Sequence, residues 1–112
     1  MDLTLIRHAV EVDHGIKRVG MGFLKQRAAK DRARLSADLC AQISEELDRL
    51  GLTTIPRTLP TSETAYVWVI QKDSVLGEIT NVSAAVAQLD KLGMNPVPQV
   101  FEQNPNAKRH LL

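Results

Sequence analysis

The chain has 112 residues, 44% of them hydrophobic, 4% aromatic and 24% charged, with a formal net charge of +1. That suffices for one domain with its own core, and no run approaches the roughly 20 apolar residues that span a bilayer or has the layout of a secretory signal. So few aromatics argue against a sheet that stacks single-stranded bases, and the single cysteine, Cys40, cannot form an intramolecular disulfide and suits a reduced compartment, so a cytoplasmic protein is expected.

From the N-terminus, Leu5, Ala9, Val12, Ile16 and Val19 recur at alternating spacings of four and three, with Leu3, Ile6 and Val10 widening the face. This spacing predicts a first helix of about four turns. Gly15 inside it costs about 1 kcal/mol relative to alanine, and a short strand over Leu3 to Ile6 is the alternative.

The run Leu3-Thr4-Leu5-Ile6-Arg7-His8-Ala9 resembles the strand-end signature of the histidine phosphatase family, and that resemblance implies His8 as a nucleophile. The family's second His before a late Gly, its second Arg and its acid are not recognisable. His14 precedes Gly15 but comes too early, and His110 stands in the tail. The resemblance is therefore set aside, and Arg7 and His8 are read as helix surface residues.

A second helix is predicted from about Met21 to Lys30, burying Met21, Leu24 and Ala28. Charge is unevenly distributed around it. Lys17, Arg18, Lys25, Arg27, Lys30, Arg32 and Arg34 lie between Ile16 and Leu35 against Asp31 as the only acid. Asp31 to Leu35 is read as a short connection, with one continuous helix through Leu50 as the alternative.

The best-defined element runs from Ser36 to Leu52. Ser36 suits an N-cap, Leu39, Ile43, Leu47 and Leu50 form one apolar stripe, and Gly51 can take the left-handed conformation that ends a helix. Its other side is acidic, carrying Asp38, Glu45, Glu46 and Asp48 against Arg49. Beyond it, Pro56 and Pro60 lack amide donors and confine their segment to an edge or a loop. Residues 65–71 read as a strand, with Tyr66, Trp68 and Ile70 on one face and Val67 and Val69 on the other, so that both faces want cover.

Three helices followed by two strands resemble the winged helix-turn-helix arrangement over roughly residues 3 to 72. The resemblance implies that the second helix of the pair reads a DNA groove. A fourth helix is predicted after Asp73 or Ser74, with a seam of Val75, Ile79, Val82, Val86 and Leu89. Gly77 or Asn81 can split it. The seam fits packing within the domain or a symmetric dimer interface. Residues 104–112 have no periodicity and read as a flexible tail.

The expected fold class is therefore α+β, mainly helical and winged-helix-like, with one domain over residues 1–103. No Gly-rich phosphate loop, serine elbow or Cys-His pairing is present, and His8, Glu11, Asp13 and His14 read as the polar side of the first helix. No enzyme activity, metal or cofactor is expected. The expected partner is double-stranded DNA, with Lys25, Arg27, Lys30, Arg32 and Arg34 holding the phosphate backbone, Lys72 a further contact and Gln42 a candidate for a base edge. A homodimer is compatible with this. The competing class is a protein-interaction or dimerisation module without nucleic-acid binding.

Overall fold

A computed structural model describes residues 1–32, 34–90 and 97–111. Among them are six helices and a three-stranded antiparallel sheet, so the chain is α+β and mainly helical. The fold divides into two compact units, residues 1–71 and 72–112.

In the first unit the elements are α1 (Thr4–Val12), β1 (Ile16–Gly20), α2 (Met21–Ala29), α3 (Ala37–Arg49), β2 (Leu52–Ile55) and β3 (Tyr66–Gln71), with sheet order β1-β3-β2. The first expected helix is thus corrected: its N-terminal half is α1 and its C-terminal half is a strand. His14 (φ 63°) and Gly15 (φ 95°) are both left-handed, which stops the helix and reverses the chain. The Gly15 carbonyl then accepts from the Gln71 amide at 2.8 Å and starts the β1–β3 ladder. Arg7 and His8 lie on the exposed side of α1, with Arg7 paired to Glu11 at 3.2 Å, and not at a strand end.

Helix α2 begins without a side-chain cap, because the loop before β3 supplies its partners. Ala65 and Glu63 carbonyls accept from the Met21 and Gly22 amides at 2.9 and 3.0 Å. A Cβ on Gly22 would lie 3.1 Å from the Glu63 oxygen, so glycine allows that approach. The connection to α3 is a turn and not a continued helix.

In α3 the Ser36 hydroxyl accepts from the Leu39 amide at 3.1 Å, and Gly51 is left-handed (φ 80°) just past the helix end, as its sequence leads one to expect. Leu39, Cys40, Ile43 and Leu47 are buried against Leu3, Ile6, Val10, Leu24, Val67 and Val69. Strand β2 stops before Pro56 at the sheet edge, where a missing amide is tolerated.

Only one face of β3 is covered along its whole length. Val67 and Val69 are buried, whereas Tyr66 and Trp68 are 59% and 45% exposed and only Ile70 on their side is buried. The expectation that both faces need cover is corrected. Arg18 of β1 lies over the Tyr66 ring, 4.0 Å from its centroid, and Gly20 stands opposite Tyr66 in the register.

The second unit comprises α4 (Val75–Asp90), α5 (Val97–Gln103) and α6 (Pro105–Leu111). The Ser74 hydroxyl accepts from the Gly77 amide at 3.0 Å, and α4 runs unbroken through Gly77 and Asn81. Residues 105–111, expected to be a flexible tail, form α6 with Ala107 buried. Pro105 stands at its first position, where a missing amide costs nothing. The α4 seam packs inside this unit: Val82, with Ile79 and Val86, meets Val100, Phe101 and Ala107. Val75 is half-buried, and the Leu89 side chain lies outside the described residues.

Candidate nucleic-acid interface

The site grows from the turn between α2 and α3. Leu35 is 5% exposed and sinks into the core beneath α3, and the Arg32 amide donates to Ala29 O at 3.0 Å to close α2. With the chain anchored at both points, Lys30, Arg32 and Arg34 are turned to solvent. None of the three makes an ion pair among the described residues. Arg27, one turn earlier, is exposed with its guanidinium 5.3 Å from the Phe23 ring centroid. Four of the five cations expected to hold a backbone are therefore outward-facing on one helix end and turn.

Lys25 differs from them. Its ammonium is paired with Glu63 in the loop before β3, and its side chain is 14% exposed. It ties α2 to the same loop whose carbonyls accept from the helix's first amides. Lys72 begins the second unit, is half-buried and has a partner of its own.

Helix α3 presents Asp38, Gln42, Glu45 and Asp48 to solvent. Gln42 donates one Nε2 hydrogen to Asp38 Oδ2 at 3.1 Å, which orients the amide and leaves its second N–H and its Oε1 for a base edge. Glu46 accepts from Arg49 Nε at 3.0 Å, and this bond holds the Glu46 carboxyl below the usual carboxylate range and raises the Arg49 guanidinium. The exposed face of α3 is therefore acidic beside a basic turn.

Sequence reasoning missed Arg57. It follows β2, donates to Thr53 Oγ1 at 3.3 Å, and with Ala37, Ala41, Ser44 and Leu59 lines a groove of about 300 Å³ along α3. The proximity of a loop cation to the N-terminal half of α3 depends on the β2 register, which local sequence does not reveal. At the floor of this groove Cys40 is buried and its thiol donates to Pro60 O at 3.5 Å. Burial pushes the Cys40 thiol above its ordinary pKa.

Among the described residues no three His, Cys, Asp or Glu side chains gather where they could hold a metal. Of the four near the first helix, Glu11 pairs with Arg7 and Asp13 with Lys17 at 2.5 Å. No helix among the described residues is long and apolar enough to cross a membrane. Comparison with protein-family models, curated proteins and solved structures finds no match.

Proposed function

We propose that the protein binds double-stranded DNA, mainly through the phosphate backbone, with the α2–α3 turn as its contact. The observation that carries this reading is the set Lys30, Arg32 and Arg34: three cations facing solvent without ion pairs among the described residues, on a turn anchored by buried Leu35. Each cation that meets a phosphate releases condensed counterions, so a cluster of this kind has an affinity that falls steeply with salt.

The order helix, strand, helix, helix, strand, strand over residues 1–71, with sheet order β1-β3-β2, supports the winged helix-turn-helix resemblance. In that reading α2 and α3 are the pair, and residues 56–65 between β2 and β3 are the wing. Arg57 at the wing's start would add a second phosphate contact across α3. The acids Asp38, Glu45 and Asp48 repel phosphate, which limits α3 to an approach by its N-terminal turn, with Gln42 as the candidate for a base edge. Lys25 is left out of the contact because Glu63 already neutralises it. A homodimer with two related half-sites fits the same reading, although the α4 seam, packed on α5 and α6, gives it no support.

A second reading, a protein-interaction module without nucleic-acid binding, is favoured by that acidic face of α3. Fluorescence anisotropy of a labelled random duplex separates the two. The DNA reading expects binding at low salt that is lost in the Lys30→Gln, Arg32→Gln, Arg34→Gln triple variant. No binding by the native protein at low salt would overturn it.

A further inference from the structure

Strand β1 is an outer strand of the sheet, and its unpaired side opens into a groove of about 320 Å³ walled by α1 and α2. The ladder fixes which backbone groups face that groove. Gln71 N donates to Gly15 O and Met21 N to Ala65 O, and antiparallel pairing alternates, so Lys17 and Val19 bond to β3 while Ile16 and Arg18 turn their amides and carbonyls outward, and Gly20 its amide alone, its carbonyl serving the first turn of α2. The groove wall is apolar, with Leu5 and Phe23 exposed by 47% and 42% and Ala9 also in the lining.

The other outer strand offers no comparable template. Beyond β2 the chain continues into Pro56, which has no amide, and Arg57 is bonded back to Thr53. An unpaired strand with apolar flanks takes a further strand, whose backbone supplies affinity and whose alternate side chains supply selectivity.

The charges of β1 decide what kind of strand. Lys17 and Arg18 both line the groove; Lys17 is paired with Asp13, whereas Arg18 makes no ion pair among the described residues. A second copy of this chain pairing antiparallel through β1 in the register centred on Arg18, which engages all three outward positions, would set Arg18 against its own counterpart, and like charges placed opposite one another are destabilising. An acidic strand meets the opposite situation. Its residues on the helix side would pack on Leu5, Ala9 and Phe23, and those on the other side would share the open face with Arg18, whose guanidinium rests on Tyr66 of β3 and would turn outward to meet a carboxylate.

We propose that the β1 edge is a docking site for an extended segment of a partner protein in which apolar and acidic residues alternate. The site is separate from the duplex contact: Lys30, Arg32 and Arg34 do not line it. It therefore stands or falls independently of DNA binding.

The test uses the full chain, isotopically labelled, and two blocked synthetic peptides, one alternating valine with glutamate and one alternating valine with lysine. Titration followed by amide chemical shifts should move Ile16, Arg18 and Gly20 with the glutamate peptide and slow their hydrogen exchange. The lysine peptide should bind about tenfold more weakly, on the scale of one charge-assisted contact at Arg18. Gly20 has φ −77° and an outward amide, so Gly20→Pro fits the backbone and removes one donor. It should weaken the glutamate peptide by about tenfold. Arg18→Glu should reverse the peptide preference, which a mere loss of folding cannot do. Equal binding of both peptides, no shift at millimolar glutamate peptide, shifts away from β1, or concentration-dependent self-pairing at β1 would each overturn the proposal.

Discussion

The two units of this chain are held together in different ways. Residues 1–71 bury a continuous aliphatic core in which Leu3, Met21, Leu24, Ile43 and Val69 are fully inaccessible. Residues 72–112 bury only Val82, Val100 and Ala107 among the described hydrophobic residues, and add a polar clamp. The Glu78 carboxylate, 5% exposed, accepts from the Asn106 backbone amide at 2.9 Å and from its side-chain Nδ2, while Nδ2 also donates to Asp73 O at 2.9 Å. The clamp joins the start of α4 to the start of α6. The comparison teaches that a small helical unit can fix its geometry with a few directional bonds where its apolar area is limited.

The sharpest break of that contrast is Ile43→Ala, which removes a fully buried side chain from the first unit. It should cost about 2–5 kcal/mol, read as a lower denaturation midpoint by the fluorescence of Trp68, the only tryptophan and part of the first unit. A loss below about 1 kcal/mol would mean that this core is far looser than the burial of Ile43 implies.

Glu78→Ala acts on the other unit and leaves the Asn106 backbone amide without an acceptor and its Nδ2 with Asp73 O alone. The expected cost is about 1–3 kcal/mol, seen as lost helical circular dichroism with the Trp68 transition little changed. Coincident shifts of both signals would show that the two units unfold as one and would erase the distinction.

A smaller effect concerns Cys40 in the core of the first unit. Its thiol keeps its proton in the folded state at pH values where the unfolded thiol has lost it. Stability from this group is therefore present at neutral pH and declines as pH rises past the ordinary thiol value. A disulfide reagent at pH 8 should label native Cys40 far more slowly than the denatured chain. Equal rates would contradict its burial.

Much of the first unit is legible in the sequence because its signals are local. Ser36 and Gly51 mark the limits of α3, and alternation marks β3. Strand β1 is not legible, since Ile16 and Val19 continue the helical spacing of Leu5, Ala9 and Val12. Five residues cannot distinguish a period of two from one of 3.6 once pairing with β3 decides the matter. Helices α5 and α6 are seven residues each, too short to show a periodicity. In the candidate interface the charge run is legible, but its division is not. Lys25 is withdrawn by Glu63, which is distant in sequence and adjacent only after the sheet forms, while Arg57 is brought beside α3 by the same event.

That division is also the most direct test of the account. The slope of log Kobs for a random duplex against log salt should fall by roughly 0.9 for each of Lys30, Arg32 and Arg34 changed to glutamine, while Lys25→Gln leaves the slope unchanged. An unchanged slope in the triple variant, or a loss in Lys25→Gln as large as in Arg34→Gln, would contradict it.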